Sequence, residues 1–196
     1  MSAIQQLMAS FKKPPYTEYA FFNSFGAVTG TSLGSYSGTT LDPSGSPSTS
    51  IGMLNLGKSS GKWYWEITLG NSAGSTFIGI AKSTFPMNTY PGYVANSIAW
   101  SSDSPTLYTE GVGSSYGAIP ANYAVIGVAL DMDAGTLTFY SNNVSQGTAA
   151  TGLTGTWYGI ALAGSSVPPG SITLNSGPTT VYSPPAGHSL MSTYYP

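Results

Sequence analysis

One stretch of the 196-residue chain constrains the fold more than any other. Between Val125 and Tyr158, two apolar runs flank the turn Asp131-Met132-Asp133-Ala134-Gly135. A second turn follows at Asn142-Asn143, and a short loop leads to Trp157-Tyr158. Asn and Gly tolerate the positive φ that tight hairpin turns need. The stretch therefore predicts strand, hairpin, strand, hairpin, strand, with no nucleophile, metal cluster or phosphate loop interrupting it. Such a chain acts through shape and surface rather than through covalent chemistry.

The rest of the sequence extends this pattern. Lys62-Trp63-Tyr64-Trp65-Glu66-Ile67-Thr68-Leu69 alternates, placing Trp63, Trp65, Ile67 and Leu69 on one face of a strand. Residues 76–81, 97–100, 106–108, 157–162 and 171–175 read as further strands, and Tyr19-Ala20-Phe21-Phe22 as an early one. Residues 23–60 are rich in Gly, Ser and Thr and predict short edge strands, with a loop at 42–47. Many short strands joined by turn residues predict an all-β antiparallel sandwich.

Three parts separate along the chain: 1–15, a sandwich over 16–182, and a tail over 183–196. Ile4, Leu7, Met8 and Phe11 fall on one stripe of a short N-terminal helix, with Ser2 placed to cap it and Pro14-Pro15 to stop it. A helix this short is not stable alone in water. It either packs on its own domain or docks on a neighbouring subunit, and the Pro-Pro break favours docking. The tail, with Pro184-Pro185-Ala186-Gly187, is expected to be extended and ordered only where it touches something.

Composition narrows the function. Only 6% of residues are charged, and all five basic residues are Lys. A net charge of −2 gives no footprint for nucleic acid. No apolar run reaches the ~20 residues that span a bilayer, and no secretory leader is visible. The expectation is a soluble protein made in the cytoplasm, without membrane insertion. The absence of Cys removes thiol and disulfide chemistry. A neutral polar surface is poorly defended against association. This points either to a surface covered by partners or to a secreted β domain with a Ser/Thr-rich face.

In combination these residues resemble a known family. Ser60-Gly61-Lys62-Trp63-Tyr64-Trp65-Glu66-Ile67, Phe77-Ile78-Gly79-Ile80-Ala81 and the hairpin Val125 to Tyr140 are similar to core strands of SPRY (B30.2-like) domains. Asn142-Asn143-Val144 stands where that family usually has Asn-Gly and an apolar residue. Trp157-Tyr158 stands where Tyr-Pro is usual, with Gly159 in place of the Pro. The resemblance covers roughly residues 20 to 178. It implies a bent, concanavalin-like sandwich of two antiparallel sheets that serves as an interaction module, not an enzyme, and holds its partners by loops at one end. By position those loops are 83–93 and 103–116, and the partner-binding candidates are Phe85, Met87, Tyr90, Tyr93, Tyr108 and Tyr116. For Tyr90 and Tyr93 a second role is open, that of caps on the sandwich core. Both ends, Met1 to Ser10 and Val181 to His188, also resemble those of SPRY-containing structural proteins of tailed bacteriophages.

Little else carries chemistry. Asp131 and Asp133 could form an acid–base pair or half a calcium site, but their hairpin position favours bonding to the turn's own backbone. His188 lacks an identifiable nucleophile and orienting acid. Trp63, Trp65, Trp100 and Trp157 could stack on sugars, yet strand positions favour a core role. The sequence thus implies no cofactor and no metal. The resemblance to phage proteins, with the scarcity of charge, implies a virion structural protein, assembled in the host cytoplasm, whose partners are other virion proteins (capsid, tail or adaptor) and further copies of itself. The alternatives are a receptor for a host-surface glycan, with Tyr90, Tyr93, Tyr108 and Tyr116 as a stacking face, and a cytosolic peptide-binding adaptor.

Overall fold

The computed structural model describes residues 16–195, except 30, 34, 44–47, 72–75, 165–169 and 179. The helix expected over 1–15, with Ile4, Leu7, Met8 and Phe11, lies outside the described residues. Within them every regular element is a strand. In chain order these are β1 (Tyr16–Tyr19), β2 (Phe22–Gly26), β3 (Ser32–Leu33), β4 (Ser35–Tyr36), β5 (Thr40–Asp42), β6 (Ser48–Lys58), β7 (Lys62–Leu69), β8 (Phe77–Ala81) and β9 (Ser97–Ser101). There follow β10 (Thr106–Thr109), β11 (Val112–Ser115), β12 (Val125–Asp131), β13 (Thr136–Ser141), β14 (Val144–Ala150), β15 (Trp157–Gly164), β16 (Ile172–Asn175), β17 (Ser189–Leu190) and β18 (Ser192–Tyr195).

Two sheets, each eight-stranded among the described residues, form the body. The first runs β11-β10-β9-β8-β15-β6-β2, with β3 beside β6; the second runs β14-β13-β12-β7-β16-β5-β4, with β17 beside β7. Apart from the short parallel pairs β3–β6 and β17–β7, neighbouring strands are antiparallel. β1 and β18 form a separate ribbon in which Tyr16 pairs with Tyr195 and Tyr19 with Ser192.

The alternation predicted for β7 places Trp65, Ile67 and Leu69 in the interior between the sheets, with Trp100, Phe139, Ile126, Val128 and Leu130. Burying a side chain of this size contributes ~1.5–3 kcal/mol. Trp63 departs from the expectation: it is half-buried, and the Lys58 ammonium lies 3.5 Å from its ring centroid. The expected early strand is broken as well, because β1 ends at Tyr19 and β2 starts at Phe22. Ala20 N–H instead donates to the Met191 carbonyl at 2.9 Å.

The turns form as their residues dictate. Asn142 and Asn143 have φ of 46° and 67°, positive at both central positions of a two-residue hairpin. At the β12–β13 turn the Asp131 carboxylate accepts the N–H groups of Asp133 (3.0 Å) and Ala134 (2.9 Å), while Asp133 accepts Gly61 N–H at 2.7 Å. Both carboxylates therefore serve turn backbone. Partial burial disfavours the charge on Asp131. The Lys62 ammonium at 2.9 Å and the two N–H donors outweigh it and hold the carboxyl below the usual Asp range.

The segment set apart as a tail returns along the body. β17 lies beside β7, Met191 is fully buried in the core, and β18 pairs with β1.

Candidate functional site

The first sheet is apolar on both faces. Along β8, Ile78 and Ile80 point into the sandwich, whereas Phe77 and Ala81 point outward. On β9 and β10, Trp100 and Leu107 point inward while Ala99 and Tyr108 point outward. Ile160 and Leu162 on β15 and Ile51 and Met53 on β6 complete a second apolar cluster on the outer face. Water is excluded from it by the segment 82–96, which folds across the sheet.

Hydrogen bonds pin that segment. Lys82 N–H donates to Asn96 carbonyl (2.9 Å), Gly92 N–H to Ser97 Oγ (2.9 Å), Ser97 Oγ to Val94 carbonyl (2.7 Å) and Thr29 N–H to Asn88 carbonyl (2.8 Å). Two glycines permit the close approach. A Cβ on Gly26 would collide with the Met87 carbonyl, and one on Gly92, at φ 87°, would stand 2.7 Å from Tyr108 Cβ.

The candidate side chains divide into three groups. Phe85 is buried in the outer cluster, and Met87 and Tyr90 are half-buried against it, so these three fasten the loop. Tyr93 and Tyr108 form a ledge: their rings stack with centroids 4.5 Å apart and an interplanar angle of 29°. Phe77 supports the ledge from below, 5.8 Å from Tyr93 and 5.9 Å from Tyr108, and Tyr90 buttresses it at 5.5 Å from Tyr93. Tyr93 is 43% exposed. Its hydroxyl is pushed up to about 12 by burial first, then by the hydrogen bond with Tyr108 and by the negative charge of Asp103.

Tyr116 is apart from the others. Its ring packs edge-on against Trp100 (5.7 Å), an inward-facing residue, and its hydroxyl donates to the Gly147 carbonyl at 2.6 Å. It joins the edges of the two sheets and is not on the Tyr93–Tyr108 face. The four-tyrosine stacking face expected from sequence is therefore a group of three.

Two parts of the site were not anticipated. Phe77 reads as core in an unbroken apolar strand. β11, with the sequence Val-Gly-Ser-Ser, carries no apolar alternation that would mark it as a strand. Yet β11 sets the ledge's boundary. Tyr108 pairs directly with Gly113, and a Cβ on Gly113 would lie 3.1 Å from Tyr108 Cε1, so the tyrosine ring lies over the glycine. All four residues of β11 are exposed, and among the described residues it pairs only with β10. Among the described residues no cluster of His, Cys, Asp or Glu could hold a metal ion.

The second sheet is closed differently. Glu66 is fully buried on the outward face of β7, and its carboxylate accepts Val181 N–H (2.6 Å), Tyr182 N–H (2.9 Å) and Tyr64 O–H (3.0 Å). The segment that leads to β17 is thereby clamped over that face. Burial and the neighbouring Glu66 push the Tyr64 hydroxyl far upward.

Comparison with known proteins agrees with this architecture. The family model of the SPRY domain matches residues 62–167, more than half of the chain. The crystal structure of the SPRY domain of human HERC1 superposes with a TM-score of 0.60 at 18% identity, covering 74% of this chain and 92% of that one. The crystal structure of a human SPRY domain gives 0.61 at 16% identity, covering 78% and 97%. No curated protein gives a sequence match. With the sandwich, its two hairpins and the family match in agreement, the chain belongs to the SPRY domain family.

Proposed function

We propose that the chain is a non-catalytic protein-interaction module of a bacteriophage particle and that the Tyr93–Tyr108 ledge is its partner surface. SPRY domains are generally protein-interaction modules. The observation that carries the reading is the exposed Tyr93 ring, held by stacking on Tyr108 and by a loop with few freedoms left. An aromatic side chain fixed before binding loses little entropy on contact, which is the property of an interface anchor. The virion setting is supported by the scarcity of charge and by the resemblance of both chain ends to phage structural proteins. In that setting the partners are other virion proteins, several copies sit on one particle, and residues 1–13 attach the sandwich.

Mass spectrometry of purified particles tests the setting, since absence of the chain from them removes it. Deleting residues 1–13 is expected to abolish incorporation while the sandwich still folds. A photo-crosslinker at position 93 tests the surface: a crosslinked partner is expected from there and not from position 181 on the clamped face. A host-surface glycan is the second reading, favoured by the exposed ring of Tyr93. Signal on a glycan array that is lost in Tyr93→Ala would replace the protein partner with a sugar.

A further inference from the structure

The edge of the first sheet stands beside the ledge, and its chemistry specifies a partner. Among the described residues no strand pairs with β11 on the side away from β10, where its backbone N–H and C=O groups face outward. Protein edges are usually protected by Lys, Pro, bulges or cover, because an open edge templates strand addition. β11 contains neither Lys nor Pro, and its register with β10 is continuous from Thr106–Ser115 to Thr109–Val112. The matching edge of the second sheet, β14, is a poorer template, since its register with β13 shifts twice and Gly147 sits at φ 91°.

The hairpin that presents β11 is rigid. Its turn, Glu110-Gly111, has φ of 52° and 89°, positive at both positions. Gly and Asn fill such positions readily, whereas Glu is strained there. The strain is compensated locally: Glu110 N–H donates to the Ser97 carbonyl (3.2 Å), and its carboxylate accepts Asn96 N–H (3.1 Å). A carboxylate is thus held beside the hairpin turn, on the β9 side of β10. Asp103, in the turn between β9 and β10, accepts the Ser101 hydroxyl, and its charge is felt at the Tyr93 hydroxyl of the ledge. The described lysines are engaged elsewhere: Lys58 over Trp63, Lys62 with Asp131, and Lys82 over Trp157.

We propose that β11 receives an extended, cationic segment of a partner protein as an added strand, with a Lys or Arg side chain lying over the Tyr93–Tyr108 ledge. Three observations converge on this occupant. The open edge supplies main-chain hydrogen bonds, as in other β-augmentation sites. Gly113 leaves the outer face beside Tyr108 free of a side chain, so an added strand can place one against the rings. Tyrosine faces attract cations, and Glu110 and Asp103, in the turns at the two ends of β10, add negative charge near the ledge. A second copy of this chain fits less well. Antiparallel pairing of β11 with itself would bring Glu110 of one copy toward Asp103 of the other, like charge against like. Four edge residues give room for about 13 Å of extended partner, at ~3.3 Å per residue.

The proposal rests on the ledge being the partner surface and adds the binding mode and the charge of the partner. Its test is selection of the full chain against a library of randomised linear hexapeptides on beads. Enriched peptides are then remade with and without N-methylation of alternate amides. Enriched sequences are expected to carry Lys or Arg and to lose binding on N-methylation. They should bind about tenfold more weakly to Tyr93→Ala and to the double variant Asp103→Asn, Glu110→Gln, a loss of ~1.4 kcal/mol. Binding that is insensitive to N-methylation but lost in Tyr93→Ala would overturn strand addition while leaving the ledge as the partner surface. Enrichment of acidic or uncharged peptides would overturn the cationic occupant. Failure to enrich any peptide sensitive to Tyr93→Ala would overturn both.

Discussion

The two outer faces of the sandwich solve one problem in opposite ways. Each sheet carries residues outside the inter-sheet core that need covering, and each recruits a loop to do so. The first sheet is covered by segment 82–96 through rings: Phe77, Phe85, Tyr90 and Tyr108 meet side chain to side chain. The second is covered by the run into β17 through one buried carboxylate, Glu66, and two backbone N–H groups. An aromatic cover is graded, so a ring at its margin can be half-wet and still ordered, as Tyr93 is. A buried carboxylate allows no such margin, because its charge must be fully hydrogen-bonded or it destabilises the fold. The contrast supports the proposal that the first face is the partner surface, while the second is closed by its clamp.

The comparison can be broken from either side. The largest effect is expected from Phe77→Ala, which removes the floor of the ledge and should cost ~3–5 kcal/mol in chemical denaturation. It should also loosen segment 82–96 while leaving the second sheet's amides protected. Glu66→Gln should cost about 1.5–3 kcal/mol, the worth of hydrogen bonds to a charged group. Faster hydrogen exchange should then appear at Val181 and Tyr182 and not at Gly92. A smaller loss, at most ~1 kcal/mol, is expected from Asp131→Asn, because the Lys62 partner is partly exposed. The Asp131 carboxyl is held below its unfolded value. Its contribution is therefore present above about pH 4 and fades as pH falls through the lower folded value.

Ring burial should show least at neutral pH and most in alkali. Tyr93 and Tyr116 are both pushed up to about 12, against ~10 for a free tyrosine. Their contribution is complete below about pH 10 and lost as pH rises through about 12. Ultraviolet titration of phenolate formation should show a delayed class that shrinks in Tyr93→Phe. Smallest of all is the expected effect of Tyr93→Ala on stability, under about 1 kcal/mol, so that any large loss of binding reports on the surface rather than on the fold.

Local chemistry was legible in the sequence, and long-range placement was not. Asn142-Asn143 and Asp131 to Gly135 announced their turns because turn geometry depends on adjacent residues. The alternation in β7 announced its core face for the same reason. β11 escaped because Gly and Ser carry no burial pattern, and its strand state comes from pairing with β10 across a strained Glu-Gly turn. The clamp on the second face escaped because Glu66 and Val181 are far apart in sequence; the one signal was a Glu inside an otherwise apolar alternation. Tyr116 looked equivalent to Tyr108 by residue type and loop position. The hairpin between them placed one ring on the inner side of the sheet and the other on the outer.

The most direct measurement is an amide chemical-shift map of the full chain titrated with a basic hexapeptide selected as above. Shifts confined to residues 90–94 and 106–115, with residues 176–191 unmoved, are the expected result. Shifts centred on 176–191, or spread evenly over both faces, would contradict the division between a binding face and a closed one.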